Sequence, residues 1–335
     1  MTYQGVLKKM QTELGAPIQY YLVFKEDFVH LNTLLGKEIN IDFQSYECLN
    51  CHEDKAIFRQ GFCKNCFFDT PQAGDWIMRP ELSKAHLGIE DRDLAYEQKV
   101  QLQPHIVYLA NSSNVKVGVT RKKQLPTRWI DQGAHEALIF LETPNRYLAG
   151  IAEVALKKHI ADKTNWRKML KNDIDDKNLE DIKAGLVQYL PEEVRVYVQE
   201  NEIEKELVFP VEKYPMKPTS LNLEKNPTYQ GKLIGVKGQY LLFEDNRVFN
   251  VRNNEGLYVE AFANICHEGK NSAPTFNQAP FHVAAVNAQY AHSWMAEDSD
   301  GDSLVYSLIK SKVSSNRNYE YENGLDEKSP LHYSG

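Results

Sequence analysis

Cys48 and Cys51 are separated by two residues, and so are Cys63 and Cys66, which follow after eleven more. No other feature constrains the chain as strongly. Each CxxC makes a tight knuckle, and two knuckles can bring four thiolates to the corners of a tetrahedron. Zn²⁺ takes that set at about 2.3 Å per bond and keeps no open position for catalysis. The residues between the pairs, which include Ala56–Phe62, are long enough for a short hairpin. The spacing therefore predicts a zinc ribbon with a structural ion on Cys48, Cys51, Cys63 and Cys66. The chain has only five cysteines and begins without an apolar signal-like stretch, which favours metal over disulfides in a cytoplasmic protein. Two redox pairs or free thiols are the competing readings.

No apolar run approaches the roughly 18 residues that span a bilayer, so no membrane partner is expected. Charge is uneven. Net charge is −7, yet residues 101–172 hold 12 Lys+Arg against 5 Asp+Glu, whereas residues 257–335 hold 5 against 10. The basic stretch suggests an anionic partner, with a mixed solvated surface as the plainer alternative. Within it the pattern reads strand, strand, helix, strand, helix: His105–Ala110, Val115–Thr120, a short helix after Pro126, Glu136–Thr143, and a longer helix over Arg146–Asp162. Ile18–Phe24 and Ile39–Phe43 read as strands. Lys177–Leu190 reads as a helix stopped by Pro191, and Lys232–Gly256 as a hairpin or meander.

Residues Val107–Ala134 carry a resemblance to the GIY-YIG nuclease core. Val107–Leu109 takes the place of the first motif and Lys116–Gly118 that of the second. Arg128 looks like the family's helix arginine, and Glu153 like its metal-binding glutamate. The resemblance implies Tyr108 and Lys116 at the water-activating positions, Arg128 on phosphate oxygens and Mg²⁺ at Glu153. Lys116 stands where the family has tyrosine. With a reference pKa of about 10.4, lysine is a poor base unless its surroundings lower that value. Arg121, Lys122, Lys123 and Arg167 are the further candidates for holding DNA or RNA. Singly, each has a bland reading: Tyr108 as a core ring, Arg128 as a solvated helix residue, Glu153 as an i, i+4 partner of Lys157.

Residues 1–256 also resemble domain-of-unknown-function family 2797. The matching stretches are Lys9–Leu22, the CxxC pairs, Leu109–Ala134 and Ala161–Leu170. The acidic tail resembles cadherin-like or Ig-like repeats of secreted bacterial proteins, with Asp298, Asp300 and Asp302 in a loop suited in principle to Ca²⁺. The expected fold class is α+β. It comprises an N-terminal β region with a zinc ribbon (residues 1–100), a GIY-YIG-like α/β core (101–172), a helical segment with a small C-terminal β element (173–256), and a partial β-sandwich tail (257–335). Two functions are open: a nucleic-acid-binding protein with a degenerate endonuclease-like core, and a non-catalytic zinc-stabilised binding or scaffold protein.

Overall fold

A computed structural model describes residues 2–24, 27–161, 163–200 and 205–263, together with four short strands beyond them. The chain divides into two units, Met1–Ile265 and Cys266–Gly335. The first is mixed α+β. It opens with β1 (Thr2–Val6), β2 (Gln11–Glu13), β3 (Gln19–Val23), β4 (Phe28–His30) and β5 (Glu38–Tyr46). The cysteine region follows as β6 (Ile57–Arg59), β7 (Phe62–Cys63) and α1 (Lys64–Asp69). An irregular stretch holding α2 (Asp75–Met78) and α3 (Leu94–Gln101) leads to β8 (His105–Asn111), β9 (Val115–Arg121), α4 (Thr127–Asp131), β10 (Glu136–Thr143) and α5 (Arg146–Leu156). Then come α6 (Trp166–Leu170), α7 (Leu179–Leu186), α8 (Glu192–Arg195) and β11 (Lys205–Glu206). The unit closes with β12 (Thr219–Ser220), β13 (Thr228–Lys237), β14 (Tyr240–Phe243), β15 (Arg247–Asn250) and β16 (Leu257–Ala263).

Seven strands form one sheet in the order β1-β16-β5-β13-β14-β15-β12. The strand expected at Ile39–Phe43 thus shares a sheet with the meander expected over Lys232–Gly256, which supplies three of its strands, whereas the strand expected at Ile18–Phe24 is β3, in a separate sheet of order β2-β3-β4. The first seven residues of the stretch expected as tail are β16, which pairs with both β1 and β5. Its alternation in Leu257–Ala263, with Leu257 and Val259 buried, explains why it lies inside the sheet.

The second sheet has the order β11-β10-β8-β9. Every residue of β8 is buried, because the strand is covered on both faces. Ile106, Tyr108 and Ala110 join the core that also holds the large sheet's Val236 and Leu241. Val107 and Leu109 point the other way, towards α5 and α7. A strand sandwiched like this needs a nearly continuous apolar run, and His105–Asn111 supplies it.

Gly118 faces Tyr108 across the β8–β9 ladder. A Cβ at Gly118 would lie 2.6 Å from the Tyr108 hydroxyl oxygen. The glycine is what leaves room for the ring. Helix α5 is shorter than expected, ending at Leu156 rather than Asp162. Its chain turns there because Ala161 is needed at the sheet edge, where its carbonyl accepts the Val117 N–H at 3.0 Å. Helix α7 starts on the Asn178 cap and gives way to a 3₁₀ turn at Val187–Tyr189 before Pro191, within the span expected.

The His105 Nδ1–H donates to the Gln103 carbonyl at 2.7 Å, and Nε2 has no partner among the described residues. Burial lowers its pKa to about 4, with Arg146 and Arg121 acting in the same direction. The folded chain therefore holds this imidazole neutral while the unfolded chain protonates near 6.5. Its contribution is complete above pH 6.5 and is lost as pH falls towards 4, by up to about 3 kcal/mol. Urea titrations across this window should show a shallower pH dependence for His105→Gln than for wild type. Identical slopes would contradict a buried neutral His105.

In the second unit the described residues form two short antiparallel pairs. Thr275–Phe276 pairs with Ala296–Glu297, and Lys312–Ser314 with Arg317–Asn318. The aspartates Asp298, Asp300 and Asp302 lie outside the described residues. No helix among the described residues is long and apolar enough to cross a membrane.

Candidate metal centre and basic cleft

The four cysteine sulfurs lie within 4.8 Å of one another, close to the roughly 3.8 Å edge of a tetrahedron built on 2.3 Å bonds. Local hydrogen bonding builds this geometry. The Cys48 carbonyl accepts the His52 N–H at 2.9 Å, and His52 takes a positive φ of 59° that tightens the first knuckle. The Cys63 N–H donates to Cys48 Sγ at 3.3 Å, and Asn50 Nδ2 donates to Cys66 Sγ at 3.4 Å. Burial raises the Cys48 pKa, but N–H groups of Cys51, Cys63 and Asn50 outweigh it and bring the thiol down to about 6. Cys66 goes the other way. Asn50 lowers it, but burial and hydrogen bonds with the three other cysteines push it up to about 12. Without a cation the four sulfurs share protons; a divalent ion displaces them. The cluster suits a metal ion such as zinc, and it is the grouping that the spacing predicts.

A cleft of about 690 Å³ lies where the end of β9 and α4 face α2 and α3. The α2–α3 stretch is fixed by buried polar bonds. The Glu97 carboxylate accepts the N–H groups of Asp91, Arg92 and Asp93 at 3.0, 2.7 and 3.1 Å. Arg92 Nη1 donates to the Phe67 and Thr70 carbonyls at 2.8 and 2.7 Å, tying the stretch to α1. Gln60 at the tip of the β6–β7 hairpin also reaches the cleft wall.

Six cations line this cleft, Lys9, Arg121, Lys123, Arg128, Arg146 and Arg252, against one carboxylate, Asp131. Asp131 is engaged with Lys9 at 2.6 Å, Arg252 at 3.7 Å and Gln239 Nε2 at 2.8 Å. Among the described residues no carboxylate pairs with Arg121, Lys123, Arg128 or Arg146. Arg146 is held rigidly. It donates to the Trp76 and Ile77 carbonyls at 3.0 and 2.7 Å and lies over the Trp76 ring. Burial lowers its pKa to about 10. Glu153 opposes that shift, whereas Arg121 and Arg128 add to it. Three guanidinium groups thus crowd one site at a cost that a bound anion would relieve.

The residues expected from sequence divide around this cleft. Arg121, Lys123 and Arg128 are on its wall. Tyr108 is 0% exposed, and its hydroxyl donates to Gln132 Oε1 at 3.0 Å. Burial raises its pKa, with Arg128 and Gln132 pulling the other way. Lys116 is on the same face of β9 as Gly118, but its ammonium donates to the Thr164 hydroxyl, and it does not line the cleft. Glu153 is also off the wall. It pairs with Lys157 at 3.3 Å, and burial raises its pKa against the pull of Lys157 and Arg146. Lys122 is diverted to Glu142, 2.8 Å away. Arg167 lies over Trp166, which stacks on Tyr240, apart from the cleft.

Sequence reasoning missed Arg146, Trp76 and Asp131 as parts of the site. Arg146 reads as an ordinary first residue of an amphipathic helix. The Trp76 stretch has no periodicity to mark it.

No curated protein and no solved structure matches the chain. Residues 36–259 match the family described as "Protein of unknown function (DUF2797)", a span running from β5 into β16 that takes in the cysteine cluster and the basic cleft. The chain belongs to the DUF2797 family.

Proposed function

We propose that this protein binds nucleic acid through the basic cleft, with a degenerate GIY-YIG-like core as the frame and a structural zinc ribbon as one wall. The crowding of Arg121, Arg128 and Arg146 on one wall, with no carboxylate ion-paired to any of them among the described residues, carries the reading. Arginine forks suit phosphate oxygens, and regularly spaced phosphates reward several cations in one groove. Binding without hydrolysis is the form we favour. Tyr108 is fully buried with its hydroxyl satisfied, and Lys116 is held by Thr164. Neither is poised to activate water.

A second reading, Mg²⁺-assisted phosphodiester hydrolysis, is favoured by one observation. Glu153 acts electrostatically on both Arg146 and Tyr108, and Mg²⁺ needs as few as one protein carboxylate. Labelled single- and double-stranded DNA and RNA with Mg²⁺, resolved on a denaturing gel, separate the two. The binding reading expects intact substrates. Cleavage that disappears in Glu153→Gln would establish the second. In anisotropy measurements the double change Arg121→Ala, Arg128→Ala should weaken nucleic-acid binding about a hundredfold, since each removes charge-assisted hydrogen bonds. Unchanged affinity would overturn the cleft as the binding site.

A further inference from the structure

Part of the aromatic side of the cysteine ribbon stays outside its core, although Phe67 packs against it. Its core is Cys48, Phe62, Cys63 and Ala73. Phe58 and Phe68 are left 43% and 55% exposed. They cluster with Phe67, with centroids 5.3 to 5.8 Å apart, and the Arg59 guanidinium lies 5.4 Å from the centre of the Phe58 ring. Exposed rings grouped with a cation form a stacking platform.

The platform adjoins the cleft along the chain at two points. Phe58 precedes Gln60 by two residues and Phe68 precedes Gln72 by four, and both glutamines are on the cleft wall. Two residues of extended chain reach about 7 Å, comparable with the spacing of bases along an unstacked strand. The cations of the cleft and the rings of the ribbon can therefore serve one continuous ligand.

We infer that the ligand is a single strand of nucleic acid, its phosphates in the cleft and a neighbouring unpaired base stacked on Phe58 and Phe68. This rests on the nucleic-acid reading above and names its substrate class. A base offers its π-face only when it is unpaired or splayed out. A duplex keeps its faces within its own stack and leaves the ribbon rings unused.

The test uses the full zinc-loaded chain and three fluorescent probes of equal length: oligothymidylate, oligouridylate and a mixed-sequence DNA duplex. At least one single strand should bind about tenfold or more tightly than the duplex, and the tighter of the two identifies DNA or RNA. The double change Phe58→Ala, Phe68→Ala should lower single-strand affinity about tenfold, with unaltered zinc content and an unaltered dependence on salt. Tyrosine at both positions should restore affinity, because it keeps a ring. Duplex binding as tight as single-strand binding, or wild-type affinity in the alanine variant, overturns this inference. It leaves the cleft reading standing if Arg121→Ala, Arg128→Ala still weakens binding. Absence of binding by all three probes overturns both.

Discussion

Cys48→Ser should abolish metal binding and release the ribbon from its folded state. Cys48 is fully buried, and its sulfur accepts the Cys63 N–H that joins the two knuckles. The apolar cluster around the sulfurs is too small to hold residues 48–69 together on its own. Structural zinc supplies about 10–16 kcal/mol of folding free energy in comparable small metal units. Zinc content should fall from one ion per chain to about none, and amide protons of this segment should exchange as fast as those of an open loop. The loss should be local, because the two large sheets have their own core. Chelation of wild type should reproduce it, more readily as pH falls, since the thiols must lose protons to bind metal. Full zinc occupancy with unchanged protection in Cys48→Ser would contradict the assignment.

Gly150→Ala should lower the melting temperature by roughly 10 °C, a loss of about 3 kcal/mol. On exposed helix surface the same change would stabilise by up to about 1 kcal/mol, so the sign discriminates. At Gly150 an added Cβ would fall on the backbone of Pro80 and Glu81, 2.8 Å from Glu81 Cα. That backbone cannot retreat easily. Arg146, one turn earlier on α5, grips the Trp76 and Ile77 carbonyls. The contact also seats the α2–α3 stretch against the core, so the variant should bind nucleic acid more weakly than its residual folded fraction explains. A raised melting temperature in differential scanning calorimetry would show that the helix does not pack there.

The local elements were legible because local rules govern them. Short apolar, β-branched runs mark β8, β9 and β10, and the cysteine spacing marks the metal cluster. The large sheet was not legible as one sheet. Ile39–Phe43 reads as a strand, but Leu257–Ala263 reads as the start of the tail, and nothing local says that residues more than two hundred positions apart will pair. The cleft was half legible. Arg121 and Lys123 follow from the basic run at the end of β9, and Arg128 from the resemblance to the GIY-YIG core. Arg146 and Trp76 depend on a stretch held by side-chain bonds to backbone carbonyls, which leave no periodic trace. Lys116 shows the reverse. The resemblance puts it at the second motif, yet the Thr164 hydroxyl that occupies its ammonium is 48 residues away.

The most direct test of the account is the salt dependence of single-strand binding by the full zinc-loaded chain. Four cleft cations without carboxylate partners predict that log K falls linearly with log salt, with a slope of about −3, and that Arg121→Ala, Arg128→Ala makes it shallower by about 1.4. A slope near zero, or the same slope in both proteins, would contradict the claim that this cleft holds phosphates.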